Sequence, residues 1–319
     1  NPWCIWERSK LPTLIKRLSL VFEKNGNKMS NLQHVYSKIL SLLHEIEPED
    51  NFLNQIRKPK LTDKELLSLS LAAETLGIDS EHFLFKQLPE CIKGKIERSV
   101  YNRRARKLSF KLEDIRGSIV DALGADNSIN IVDSMPLEVC KMSRSNRSKI
   151  CQEYESSSPD FGFCAAQNMR YFGYKLHAVC SPEGVLKMYD ISRASLHDIH
   201  YLNDIKSQLG DCILIGDKGY LSRAWQSDLF TSSGIGLQTP MRKNQKDFTP
   251  FPLEYRKARK RIETLFSQLC DQFMIRRNYA KSFTGISRRI VTKITSLTLI
   301  QWFNQREGNK LNNLKVVIS

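Results

Sequence analysis

The hydrophobic pattern changes character once along the chain. From residue 30 to about 125, apolar residues recur at helical spacing. Thr62 and Glu65 have the spacing of a capping box, with Leu61 and Leu66 placed as the hydrophobic staple across it. The helix they open is predicted to run through Leu67, Leu69, Leu71 and Ala72, and Gly77 is placed to end it. A second helix is expected from Asp79 or Ser80 and a third, basic one from about Ser99. After Gly124 the residues 128–133, Ser-Ile-Asn-Ile-Val-Asp, read as a short buried strand ending in an acid, and Pro136 fits its exit. Residues 141–170 are polar and basic and read as a long loop. Two strand-like runs, 171–179 and 185–191, flank Ser181-Pro-Glu-Gly184, a hairpin signature. A helix over 196–209, a strand over 211–217, a helix from Ser222, a strand over 234–239 and helices over 253–275 and 283–306 complete the pattern.

This order predicts an α/β fold: a mixed sheet flanked by helices, in the sequence of a ribonuclease-H-like domain, preceded by an all-helical N-terminal domain. The expected divisions are a helical domain over 30–125 and a sheet domain over 126–306. Residues 1–29 are expected to be an extension, because the helical pattern opens only near Met29, and 307–319 a tail.

Charge adds what periodicity does not. Lys and Arg number 49 against 34 Asp and Glu, a formal charge of +15. Such an excess points to an acidic polymer or an anionic membrane. No apolar run reaches the roughly 18 residues that span a bilayer, so nucleic acid is the better partner. The excess is concentrated: residues 241–293 hold 14 Lys and Arg against 4 Asp and Glu. The scattered cysteines form no CxxC, which suggests free thiols, a reducing compartment and hence the cytoplasm. His177, Cys180 and Cys164 are read as strand and loop residues before a zinc site, and Trp3, Trp6, Trp225 and Trp302 as packing residues before base-stacking ones.

Two acids, Asp133 and Asp217, end strongly apolar strand patterns. One strand-end Asp is usually a cap or turn residue; two in one sheet of a basic chain point to metal-dependent phosphodiester chemistry. Divalent ions held by a few carboxylates activate the nucleophile and neutralise the leaving oxygen. Gly219, after Asp217-Lys218, allows a tight turn. A third acid, Glu263, lies on the helix over 253–275. There Arg256, Lys260, Glu263 and Ser267 share one face, and Ile262, Leu265, Leu269 and Phe273 another that packs on the sheet. Candidate phosphate contacts are Arg256, Arg259 and Lys260 on this helix, Lys218 beside Asp217, Arg144 and Arg147 in the polar loop, and Arg103, Arg104, Arg106 and Lys107 on the basic helix, whose setting among short helices resembles a helix-turn-helix. His197-Asp198 is a further polar pair, but Ser195 to Asp198 has capping-box spacing and is read as a helix start.

Asp133-Ser-Met-Pro136, Gly173-Tyr-Lys-Leu-His177, Gly216-Asp-Lys-Gly-Tyr220 and Arg261-Ile-Glu-Thr-Leu-Phe266 resemble the motifs of bacterial insertion-sequence transposases of the family numbered 982. The resemblance runs from about residue 30 to 305. It implies a DDE transposase that binds the terminal repeats of a mobile element, cleaves its ends and joins them to target DNA. By that resemblance Asp133, Asp217 and Glu263 are catalytic and metal-binding, with two Mg²⁺ ions, Mn²⁺ substituting, and a homodimer synapsing two DNA ends. One departure stands out. In the broader superfamily a Tyr, two residues, an Arg, three residues, the Glu, six residues and a Lys follow one another. Here Arg259 and Glu263 match, but Arg256 and Cys270 occupy the Tyr and Lys positions. The alternatives are a ribonuclease-H-like nuclease on other substrates and a DNA-binding protein with a vestigial centre.

Overall fold

The computed structural model describes residues 28–242, 244 and 248–314. Trp3, Trp6 and nearly all of the expected extension, together with residues 315–319 of the expected tail, lie outside the described residues. Among the described residues five helices come first: α1 (Lys28–Ile46), α2 (Asp63–Thr75), α3 (Glu81–Lys86), α4 (Arg98–Lys107) and α5 (Ser109–Leu123). The strands are β1 (Ile129–Cys140), β2 (Asp160–Cys164), β3 (Met169–Cys180), β4 (Leu186–Arg193), β5 (Ile213–Ile215) and β6 (Gly236–Gln238). Helices α6 (Leu202–Gln208) and α7 (Arg223–Ser233) separate β4, β5 and β6, and α8 (Leu253–Asp271) and α9 (Phe283–Arg306) close the fold. Among the described residues no helix is long and apolar enough to cross a membrane.

The capping box at Thr62 and Glu65 forms in both directions, and Gly77 adopts the positive φ (68°) that ends α2. The sheet order is β2-β3-β1-β5-β6, with β4 also on β3. Strands β1 to β4 pair antiparallel, and β1, β5 and β6 run parallel. This is the mixed α/β, ribonuclease-H-like arrangement that the element order predicts. Ile131, Leu176, Ala178 and Ile215 on one sheet face pack with Ile262, Leu265 and Leu269 of α8 and Ile290, Ile294 and Leu297 of α9. Val132, Val179 and Leu214 on the other face pack with Leu202 and Ile205 of α6 and Leu229 of α7. Alternation along each strand produces these two layers.

Several expectations need correction. β1 does not end at Asp133: it continues through Pro136, paired with Lys175, to Cys140. Pro136 is tolerated because β5 pairs with β1 no further than Ile131, so no strand on that edge calls for an N–H, and Arg276 Nε donates to the Pro136 carbonyl there at 3.3 Å. The region over 141–170 is not all loop, since β2 pairs with β3 across it. At Gly173 an added Cβ would meet Leu137 O at 2.1 Å, so only glycine lets β3 approach β1 there.

The last helix ties the two halves together. Val291, Leu299, Trp302 and Phe303 of α9 belong to the core of α1 to α5, while its other side belongs to the sheet core. Trp302 is thereby a packing residue; it is buried against Phe303, with Arg306 over its ring. Polar contacts reinforce the seam. Lys293, 1% exposed, reaches Glu74 at 2.7 Å and Asp79 at 3.3 Å, Arg289 also holds Asp79, and Arg288 holds Glu81 at 2.9 Å. Three of the cations behind the charge excess of 241–293 are therefore internal and contribute little outward field.

Candidate active site

The four motifs lie on β1, on β3, just past the end of β5 and on α8. β5 pairs with β1 only as far as Ile131↔Ile215. Two residues on, Asp133 and Asp217 fall on the same side of the sheet as those two isoleucines, which face α8. β5 stops and β1 goes on, so the acids stand where the parallel strands part, at their carboxyl ends. Open α/β sheets bind ligands in that position.

Each acid is partly held by backbone. Ser134 N–H donates to Asp133 Oδ1 at 2.8 Å, and Gly219 N–H donates to Asp217 Oδ1 at 2.7 Å. At Gly219 an added Cβ would sit 2.9 Å from that same oxygen, which explains the glycine. Asp217 thus caps the short turn Lys218–Tyr220, the plainer role foreseen for a strand-end acid, while also facing Asp133. Asp133 keeps its Oδ2 for a long ion pair to Arg259 Nη2, 3.8 Å away on α8. Burial of Asp133 and the neighbouring Asp217 push its carboxyl from the ordinary 3.8 up to about 7, against the pull of Ser134 N–H and Arg259. The crevice holds more negative charge than its nearby cation balances.

Glu263 lies one helical turn beyond Arg259, rotated by about 40° toward solvent. Its side chain is exposed. Among the described residues, no three His, Cys, Asp or Glu groups converge closely enough to hold a metal ion. The structure therefore brings Asp133 and Asp217 together and leaves Glu263 on the adjoining flank of α8. The amphipathic reading of that helix matches the burial: Ile262, Leu265, Leu269 and Phe273 are buried, and Arg256, Lys260, Glu263 and Ser267 are exposed. Cys270, at the departing position, packs against the sheet core, and burial raises its thiol to about 11.

Asp198 is an acid of this crevice that the capping reading passed over. Ser195 does not cap a helix; His197 does, its ring accepting from Ile199 N–H at 3.2 Å. Asp198 instead turns toward the sheet, binds Lys175 Nζ at 2.9 Å, and lies close enough to help raise both Asp133 and Tyr220. The exposed Leu196 before it is no anchor for an ordinary helix start. His177 is buried, stacked on Tyr201 and bonded to Ser192 Oγ at 2.7 Å, and burial lowers its ring to about 4. It points to the sheet face opposite Cys180, which lies in the α8 layer.

The basic candidates divide. Arg103, Arg106, Lys107, Arg144, Arg147, Lys218, Arg256 and Lys260 are exposed. Arg259 is half-buried against Asp133. Arg104 leaves the group: it is buried and holds Asp63 at 2.6 Å inside the helical core. That pair joins residues distant in sequence, which a count of charges on one helix does not reveal.

Residues 124–299, more than half of the chain, match the family described as Transposase DDE domain. A solved structure, "Mos1 transposase paired-end complex with left transposon end", is similar at 11% identity over 81% of this chain and 84% of that chain, with a TM-score of 0.22. No curated protein matches the chain.

Proposed function

We infer the chemistry of the crevice from one premise: this chain belongs to the transposase DDE-domain family and is a DNA transposase. Within that family we propose that it is an insertion-sequence enzyme of the kind its four motifs resemble, acting on the terminal repeats of its own element. Asp133, Asp217 and Glu263 are its catalytic carboxylates. The observation that carries this reading is the closeness of Asp133 and Asp217 just past the point where β5 leaves β1, with Arg259 of α8 beside Asp133.

The acids fit a divalent cation. A half-buried carboxyl pushed up to about 7 beside a second carboxylate is a site short of positive charge. Mg²⁺ is commonly held by one or two carboxylates, with water and substrate phosphate completing its shell. Asp133 and Asp217 would hold such ions, Mn²⁺ substituting, and Glu263 would join them from α8 when DNA is present. When bound, two ions supply a deprotonated nucleophile and a neutralised leaving oxygen. The chain's own residues orient the reaction. Gly219 and Ser134 N–H groups fix one oxygen of each Asp, Lys175 restrains Asp198 below them, and Arg259 steadies Asp133 until substrate arrives. Arg256, Lys260 and Lys218, exposed around the crevice, together with Arg144 and Arg147, grip phosphates. Two DNA ends brought together imply a homodimer in the working complex.

Incubating the protein with its terminal repeats and Mg²⁺, then mapping breaks, tests this reading. Nicks confined to the element boundaries are expected. Equal nicking of unrelated duplexes would point to a general nuclease, and tight binding with no metal-dependent break to a vestigial centre.

Arg256 and Lys260 also predict a salt effect. Phosphate contacts release counterions, so the slope of log K against log [salt] is roughly −0.9 per phosphate on duplex DNA. Arg256→Ala with Lys260→Ala should flatten that slope by roughly 1 to 2 for repeat and scrambled duplexes alike. An unchanged slope in a fluorescence-anisotropy titration would remove this face from the DNA interface.

A further inference from the structure

A groove of about 660 Å³ opens where α4 meets the turn between α8 and α9. Arg98, Asn102 and Arg106 recur every four residues and line one wall from a single face of α4. Tyr279 and Lys281 line the other. Cys151 N–H donates to Lys281 O at 2.8 Å, which fixes the polar loop against that turn. Most acids of the groove are already matched. Glu81 is held by Arg288 at 2.9 Å and by Asn102 at 2.8 Å, and Asp79 is shared between Arg289 and Lys293. The side chains of Arg98, Arg106 and Lys281 are exposed and, among the described residues, without an ion-pair partner, against the exposed Glu153 alone.

Arg98 and Arg106 stand about 12 Å apart along the helix, with Lys281 across from them. A row of cations of that length suits a polyanion better than a single small anion. Tyr279, 70% exposed at the rim, adds a hydroxyl of the kind that bonds phosphate oxygens. We propose that this groove seats the phosphodiester backbone of the element-end DNA, and that α4 meets DNA through Arg98 and Arg106 and not through Arg103 and Lys107. The assignment rests on the transposase reading and adds a position to it. Arg103 and Lys107 lie on another side of the helix, outside the groove. DNA held here touches the helical half and the α8–α9 turn together, so the seam at α9 sets the spacing of the contacts.

The test uses the full chain without metal, so that binding is read apart from cleavage. Three proteins are titrated with terminal-repeat duplex at several salt concentrations: wild type, Arg98→Ala/Arg106→Ala/Lys281→Ala, and Arg103→Ala/Lys107→Ala. The groove variant should bind more than tenfold more weakly, with its salt slope reduced by roughly 2 to 3, at about 0.9 per lost phosphate contact. The outer-face variant should lose less than threefold. Thermal melts confirm that each variant is folded, and Lys281→Glu, a single exposed change, serves if the triple variant is not. Equal losses in the two multiple variants, a larger loss in the outer-face one, or an unchanged slope in the groove variant overturns the proposal. So does a wild-type protein that binds no duplex. A wild-type protein that binds repeats here but does not nick them in the separate incubation with Mg²⁺ refutes the transposase reading while leaving this contrast measurable.

Discussion

Replacing Asp133 or Asp217 by Asn, or Glu263 by Gln, should lower metal-dependent cleavage of element ends by more than about a thousandfold. Each change keeps the side-chain volume and removes one charge available to a divalent cation. Metal ions contribute several kcal/mol of transition-state stabilisation, and about 1.4 kcal/mol corresponds to tenfold in rate. DNA affinity without metal should hold or rise, since each variant removes a negative charge near phosphate. Near wild-type cleavage by any one variant would strike that residue from the set. Asp133→Asn carries a second expectation, with a defined sign. The folded state binds the Asp133 proton more tightly than the unfolded state does, because its pKa rises from 3.8 to about 7. Ionising it opposes folding fully above pH 7, and that penalty fades as pH falls toward 3.8. The metal-free Asn variant should therefore be more stable than wild type at pH 8, by about 2–4 kcal/mol, and no more stable at pH 3.5. Equal denaturation midpoints at pH 8 would show that Asp133 is not held in a buried crevice short of positive charge. Asp198→Asn is the informative companion. It removes the acid next to Lys175 without touching the proposed metal ligands, and a moderate loss of cleavage would mark it as a positioning residue.

What could be read from the sequence follows how local each cause is. The stripe Ile262, Leu265, Leu269 and Phe273 is a property of one helix, so both the face of α8 and the position of Glu263 were legible. The capping box at Thr62 was equally local. Asp133 and Asp217 stood out because each follows an apolar run, yet their shared face depends on β5 ending beside a β1 that continues. Pro136 suggested an exit because its tolerance depends on β5 ending opposite Ile131, a tertiary feature remote in sequence. β2 was hidden by its composition: Asp160-Phe-Gly-Phe-Cys164 carries a glycine mid-strand and leaves Phe161 and Phe163 exposed. Asp198 was lost to a local rule that tertiary structure overrode, because Lys175 competes for its carboxylate. Arg104 went astray for a similar reason, since a buried Asp63 claims it.

Lys293 provides the other large expected effect. Its ammonium is 1% exposed and is shared between Glu74, which burial pushes upward, and Asp79. Lys293→Ala leaves Glu74 inside the protein without its nearest cation and opens space between α2 and α9. Breaking a buried ion pair by removing one partner commonly costs about 3–5 kcal/mol, because the remaining charge is stranded. A loss in that range is expected from urea denaturation. Lys293→Met with Glu74→Gln should recover much of it, as apolar or neutral replacement of both partners is far cheaper than removal of one. The position of the pair makes this more than a stability measurement. α9 belongs to the helical core through Val291 and Leu299 and to the sheet core through Ile290 and Ile294, so the seam it forms joins α4 to the acid crevice. Loosening it should weaken binding of terminal repeats even at temperatures where the variant remains folded, whereas Arg256→Ala on the far flank of α8 should weaken binding without changing the midpoint. If Lys293→Ala costs less than about 1 kcal/mol, within the range of an exposed pair, the two halves are not coupled through this ion pair. The contact between α4 and the α8–α9 turn must then be held by the apolar packing of α9 and by the Arg288 and Arg289 pairs.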